Sequence, residues 1–339
     1  MRHQFVDRPS GELRDETFFG DRVVRLLYGA AREDGSLLMR ALTSQRLSKW
    51  LGYLNYDFPL AAKLTGSRRF TERLGILADE CVDDPSTFRS ARDVFERRIR
   101  YWDCRPMDAD PSVVVSPADA RMLHGSLHDS PTLRIKERFF DFEELLGADR
   151  TRWLHRLHGG DFAVFRLTPD KYHWVHTPVA GRVVDVYAVD GGCHSCNPVA
   201  AVAEVGALSK NRREVTIIDT DVEGGTGVGL VAVIEVVALM IGAIEQRYSA
   251  TGYDAPRPIE TGLHVERGRP KSIFKPGSST VVLLFERGRI RFDDDLDANV
   301  AHPRARSRFT VGIDGARLVE TDMNVRASIG RARRGHHDD

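Results

Sequence analysis

The most constraining feature of the sequence is Val281-Val282-Leu283-Leu284-Phe285, five apolar residues in a row directly after Lys275-Pro276-Gly277-Ser278-Ser279-Thr280. A strand that is apolar at both parities has to be covered on both faces, so the chain must build a sheet between two layers. Its 339 residues, of which 42% are hydrophobic, are enough for such a core. Other segments read as strands of the same architecture. Pro111 to Pro117 encloses a run of three valines, and Arg182 to Val189 alternates valines with polar residues before a turn at Asp190-Gly191-Gly192. Val215 to Asp219, Leu230 to Val237 and Thr280 to Phe285 complete the set.

Residues 17 to about 105 have a helical texture: Leu47, Trp50, Leu51 and Leu54 fall on one helical face, with Ser44 placed to cap it. Between residues 20 and 73 there are ten Lys or Arg and five Asp or Glu, either a solvated charged face or a surface that meets anionic lipid headgroups. Over the whole chain 49 basic and 49 acidic residues cancel, which argues against a nucleic-acid-binding protein. Val228 to Ile244 is apolar except for Glu235, yet it is short for a membrane span, and a central Glu disfavours insertion. The polar Met1 to Glu16 does not read as a secretory signal, and four cysteines are too few for a disulfide scaffold. A reducing, cytoplasmic setting with peripheral membrane contact is the expectation. The fold class is α+β, with a helical N-terminal layer over residues 1–105, a β-rich catalytic core over 106–330 and a disordered tail at 331–339.

Several groupings can carry chemistry. Gly277-Ser278 lies between a Pro-Gly turn and a strand buried on both faces, and by itself reads as an ordinary turn. The same placement can hold the peptide strained, because glycine admits backbone conformations closed to other residues. With a base to take the Ser278 proton, the hydroxyl oxygen attacks the Gly277 carbonyl and the amide becomes an ester. Elimination of that ester leaves dehydroalanine on the C-terminal fragment, and hydrolysis with loss of ammonia yields a pyruvoyl group. Such self-processing requires a base and a group to orient it. His173 and His176, in Tyr172-His173-Trp174-Val175-His176-Thr177-Pro178, are the candidate bases, although buried histidines also occur as plain packing. Pro178 favours a strand or turn there over a helix. Cys193-His194-Ser195-Cys196 admits a zinc reading, but no second Cys-x-x-Cys accompanies it, and no metal is expected. Asp119, in Ser116-Pro117-Ala118-Asp119-Ala120, is a turn residue that could also orient a base.

Taken together these segments resemble the phosphatidylserine decarboxylases, self-processing pyruvoyl-dependent enzymes. Ser116 to Asp119 resembles that family's S-P-A-D-G, and Tyr172 to Gly181 its Y-H-R-x-H-x-P-x-x-G. Ser195-Cys196-Asn197-Pro198 is similar to S-V-N-P, and Phe274 to Val281 to F-K-x-G-S-T-V. Weaker echoes lie at Arg105-Pro106, at Ile135-Lys136 with Leu145-Leu146-Gly147, and between Phe19-Gly20 and Gly52. The resemblance implies a processing triad of Asp119, His176 and Ser278, with cleavage between Gly277 and Ser278 into α and β chains. It implies a covalent pyruvoyl cofactor derived from Ser278, and His173 as a substrate-site histidine active in proton transfer. The implied reaction converts phosphatidylserine to phosphatidylethanolamine and CO2 through a Schiff base at an anionic membrane surface, in a possible homodimer. Three departures stand out. Ala120 replaces a glycine, Gly277 to Phe285 is one residue longer than usual, and Asn299 to Glu320 looks like an insertion, followed by Val325 to Gly330 without the usual Gly-Glu. The first places attention on the turn that aims Asp119, and the second admits cleavage at Ser278-Ser279. Together they leave open a relative acting on a soluble amino acid, or a scaffold that does not cleave.

Overall fold

The computed structural model describes residues 3–16, 77–128, 140–168, 170–192, 208–237, 243–276, 279–310 and 318–333. Within them the chain is rich in sheet, with short helices. A ten-stranded sheet runs in the order β11 (His264–Val265), β7 (Gly181–Val189), β8 (Arg213–Asp219), β9 (Leu230–Val237), β13 (Ser279–Phe285), β5 (Asp161–Leu167), β4 (Ala120–Ser126), β15 (Glu320–Met323), β1 (Gln4–Asp7), β2 (Glu12–Asp15). Its pairs are antiparallel except β1 with β15. Two three-stranded sheets accompany it. One is β10 (Ile244–Gln246), β12 (Pro270–Phe274) and β6 (Trp174–His176); the other is β14 (Ile290–Phe292), β16 (Ser328–Ala332) and β3 (Val113–Val115).

The central strands follow the period of two, and both parities are apolar because both faces are covered. On β13, Val282 and Leu284 join Phe162 and Val164 of β5 and Ala232 and Ile234 of β9 in one cluster. That cluster is closed by Leu145 and Leu146 of α3 (Phe142–Leu146) and by Trp153 and Leu157 of α4 (Thr151–Leu157). Val281, Leu283 and Phe285 point the other way, towards Val114, Val175 and Phe274 of the smaller sheets. Glu235 is on this second face, which explains the single charge in an apolar run. Its carboxylate takes Lys271 Nζ at 2.6 Å and the Ser272 hydroxyl, both from β12, and Gln246 Nε2 from β10 at 3.0 Å. The ion pair is wholly buried and ties the small sheet to the large one. Among the described residues no helix is long and apolar enough to cross a membrane.

The N-terminal part differs from expectation. Residues 4–15 are a strand pair closed by a turn that includes Gly11 at φ +67°, and β1 joins the large sheet beside β15. Phe5 and Val6 are buried in this edge, a local pattern too short to stand out in a polar segment. Behind it His3, Glu16 and Glu320 converge, and Arg166 of β5 bonds both carboxylates, so a guanidinium already offsets one of their two charges. Residues 77–105 hold short helical pieces, among them α1 (Ala91–Phe95), started by a Ser90–Asp93 capping box, and α2 (Tyr101–Cys104). Residues 17–76, with the face built on Leu47, Trp50, Leu51 and Leu54, lie outside the described residues. β15 begins at Glu320, so the supposed insertion ends inside the large sheet, and β16 runs to Ala332, into the stretch expected as a tail.

Candidate active site

Asp119 closes the turn between β3 and β4, and His176 ends β6. The two segments touch through the His176 N–H, which donates to the Pro117 carbonyl at 2.7 Å. Ala120 enters β4 with φ in the ordinary negative range, so this turn needs no glycine at that place. The Asp119 carboxylate accepts from Arg105 Nε at 3.1 Å, Arg105 Nη2 at 2.9 Å and the Val325 N–H at 2.7 Å. Burial works against its ionisation, but the charge and hydrogen bonds of Arg105, the charge of Lys171 and the Val325 N–H outweigh it and hold the pKa below the usual carboxylate value. Arg105 also forks onto Glu80 at 2.8 and 2.9 Å. The segment around Val325, a departure at the sequence level, therefore supplies a direct contact to Asp119, and the next residue, Arg326, turns at φ +71°.

His176 is fully buried, and both its ring nitrogens are engaged. Nδ1 is 3.0 Å from the Gly268 carbonyl and Nε2 is 3.0 Å from the Tyr172 hydroxyl. A carbonyl only accepts, so Nδ1 carries the proton and Nε2 of the neutral ring is the acceptor. Gly268 aims its carbonyl from a turn at φ +71°, where a Cβ would come within 2.5 Å of Met107 Sδ. The Asp119 and His176 side chains thus have separate hydrogen-bond partners here, and they interact through their charges. Burial drives the His176 pKa down to about 3, with the Arg326 charge adding to it and the Gly268 bond opposing.

His173, just ahead of β6, is equally buried, and among the described residues neither ring nitrogen has a well-formed hydrogen bond, only the Lys171 backbone lying near enough to oppose the fall in its pKa. Its ring stacks on Phe95 at 3.6 Å between centroids and 23° between planes. Burial first, then the charge of Arg97, lowers its pKa to about 3. Arg97 itself bonds two carbonyls, those of Val94 and Asp170.

Gly277 and Ser278 lie outside the described residues, as do Cys193 and Cys196, but the chain on either side of Gly277-Ser278 is well placed. The Phe274 N–H donates to the His173 carbonyl at 3.1 Å, and Lys275 Nζ is held by Glu96 and Glu245, each at 2.9 Å. On the far side Ser279 opens β13 between Leu167 of β5 and Val237 of β9, its hydroxyl buried and unpartnered. The described chain thus leaves the small sheet at Phe274, beside the His173 backbone, and enters the centre of the large one at Ser279. Sequence reasoning had assigned no role to Tyr172, Gly268, Arg97 or Tyr253, and had met Arg105 only as part of an Arg-Pro echo. Tyr172 was within reach as a polar aromatic four residues from His176; Gly268 and Tyr253 are remote in sequence and carry no local signal.

Two buried histidines on and beside β6 and a buried, ion-paired carboxylate form the candidate site. Residues 91–307 match the family described as phosphatidylserine decarboxylase. A protein named phosphatidylserine decarboxylase proenzyme from Chlamydia trachomatis is 33% identical over 302 residues, covering 86% of this chain and 90% of that one. One of the same name from Bordetella avium is 32% identical over 261 residues, 73% of this chain and 84% of that one. The chain belongs to the phosphatidylserine decarboxylase family and is a carboxy-lyase of that type.

Proposed function

We propose that this chain cuts itself between Gly277 and Ser278, converts Ser278 to a pyruvoyl group and uses it to decarboxylate phosphatidylserine at a membrane surface. The observation that carries the reading is that β12, whose Phe274 N–H is bonded to the His173 carbonyl, is followed after the anchored Lys275 by β13, which opens at Ser279 in the centre of the large sheet. Orphaned polar atoms there, both His173 nitrogens and the Ser279 hydroxyl, fit a site whose partners belong to a processed terminus and a substrate. The proenzyme names of the relatives agree with chain processing. Once formed, the pyruvoyl group supplies a ketone that takes the substrate amine and an electron sink for the bond to CO2.

The protein's own residues then have definite tasks. His176, neutral and with its Nε2 lone pair held by the Tyr172 hydroxyl until that hydroxyl turns away, is the base for the Ser278 proton, and Asp119 balances the positive charge that develops. Elimination and hydrolysis release the Gly277 carboxylate and ammonia. During turnover His173 faces the substrate and shares in returning a proton to the carbon that lost CO2. Lys275, fixed by two carboxylates, keeps the crossover from slackening. The basic excess at residues 20–73 supports docking on anionic lipid, and a peripheral cytoplasmic location and a homodimer belong to the same proposal.

The test is an intact-mass measurement on purified protein. The expected result is chains of 277 and 62 residues, the shorter one blocked by pyruvate. Ser278→Ala should remain full-length and inactive. A short chain of 61 residues would move the cut to Ser278-Ser279, on the order of one residue from the proposed bond. Wild-type protein that stays in one piece would sink the reading. CO2 release should be faster from phosphatidylserine in mixed micelles than from free serine, and vesicle binding should weaken as salt rises.

A further inference from the structure

Loss of CO2 leaves a carbanion, so each turnover consumes one proton. On the reading above His173 shares in returning that proton, and His176, whose ring is sealed from solvent, is the second imidazole placed to supply it. A line of hydroxyls leads from its Nε2 to a part-exposed tyrosine. Tyr172 Oη is 3.0 Å from His176 Nε2 and 2.7 Å from Tyr253 Oη. Tyr253 Oη in turn is 2.9 Å from the Ile99 carbonyl and 3.1 Å from the Ile99 N–H. Tyr172 is completely buried, whereas Tyr253 is half-buried beside Trp102, one of the most exposed large apolar side chains of the described residues.

Counting hydrogens shows why this line of groups is unusual. With His176 neutral, Tyr253 donates to Tyr172, Tyr172 donates to Nε2, and the Ile99 N–H donates to Tyr253. The Ile99 carbonyl is not left empty, since the Tyr101 N–H reaches it at 2.8 Å. With His176 protonated every donor reverses: Nε2–H to Tyr172, Tyr172 to Tyr253, Tyr253 to the Ile99 carbonyl. Both states are satisfied on one set of heavy-atom positions. A third arrangement, with the two hydroxyls turned outward and the imidazole neutral, frees the Nε2 lone pair to take a proton from a reacting hydroxyl. His173, with no well-formed hydrogen bond at either nitrogen, lacks any such route.

We propose that Tyr172 and Tyr253 form a two-hydroxyl relay that carries protons between His176 and the protein surface. In loading, a solvent proton arrives at Tyr253, the Tyr253 proton passes to Tyr172, and the Tyr172 proton passes to Nε2. The net change is one proton gained by the imidazole, and the hydroxyls reset by rotation once that proton has been given up. Burial raises the pKa of both phenols, which keeps them protonated as such a relay requires.

The experiment uses the matured enzyme, with maturation checked by intact mass in every sample. Tyr253→Phe keeps the ring and removes the outer hydroxyl. The expected result is a kcat lowered by about 10-fold, below the roughly 100-fold or more of a group that itself donates to substrate, with KM unchanged and an enlarged solvent deuterium isotope effect. Tyr253→Ala opens the slot, and added phenol should restore kcat where benzene, which fills the space without a hydroxyl, should not. Wild-type kcat and isotope effect in Tyr253→Phe, or equal rescue by benzene, would overturn the relay. Failure of the wild-type chain to mature would instead strike the parent reading, and the two failures are told apart by mass alone.

Discussion

The two histidines of the site are three residues apart, equally buried and equally depressed in pKa, yet their surroundings are opposites. Around His176 every polar atom is matched: Gly268 takes Nδ1–H, Tyr172 serves Nε2, and Arg105 with the Val325 N–H saturates the neighbouring Asp119. Around His173 the ring lies against Phe95 with both nitrogens unmatched. A matched buried network fixes one tautomer and one orientation, which suits a base that must act once in maturation and then repeatedly. An unmatched imidazole in an apolar slot costs stability, and its polar atoms are satisfied when something else arrives, which suits a substrate contact. Burial alone does not distinguish base from binding group; the partners do.

The strongest way to break the matched side is Arg105→Ala. It strands the buried Asp119 carboxylate and frees Glu80, so a loss of about 3–5 kcal/mol is expected. Urea unfolding of Ser278→Ala protein, with and without the change, measures it without interference from maturation. Adding Asp119→Asn should recover part of the loss, because the uncompensated charge goes with it. An Arg105→Ala protein of unchanged stability would mean that Asp119 is solvated rather than held.

Acid should act on both sides alike. The folded-state pKa of each ring is about 3, below an unfolded value of roughly 6.5. Between these values the unfolded chain binds the extra proton, so stability is full above about pH 6.5 and falls as pH drops towards 3. Each imidazole contributes up to about 1.4 kcal/mol per pH unit in that window. Urea midpoints at neutral and mildly acidic pH provide the check, with His173→Leu and His176→Leu each expected to remove one share of the slope. Unequal shares would show that partners, not burial, set the two pKa values.

The same contrast explains what could be read from the sequence. Strands β3, β7, β8, β9 and β13 were visible because apolar periodicity is local, and the two-sided burial of Val281 to Phe285 follows from its unbroken composition. Pro178 favours a strand or turn over a helix, and His176 does end a strand. Asp119, His173 and His176 stood out as chemical types at motif spacing, and the structure brings their segments together. Their partners were not legible. Arg105 reaches Asp119 across 14 residues, Gly268 reaches His176 across 92, and Tyr253 reaches Tyr172 across 81. Such contacts depend on how remote segments come together, as β6 does with β12, which no local period encodes. The strand pair at residues 4–15 escaped for a similar reason, since its partner β15 is some three hundred residues away.

The gentlest change separates the two sides most cleanly. Phe95→Leu keeps an apolar side chain under His173 but removes the stacked ring, a contact worth about 1 kcal/mol beyond simple burial. Phe95 ends α1 and stands two residues before Arg97, whose bonds to the Val94 and Asp170 carbonyls remain in place. The His173 ring then gains rotational freedom while the Gly268–His176–Tyr172 line is left intact. Maturation, which on this account draws on His176 and Asp119, should run at the wild-type rate by intact mass. Turnover, which draws on His173 at the substrate, should fall modestly, with a higher KM and the same solvent isotope effect. If maturation slows as much as turnover, the two imidazoles share one task, and the division between a matched base and an unmatched binding group is wrong.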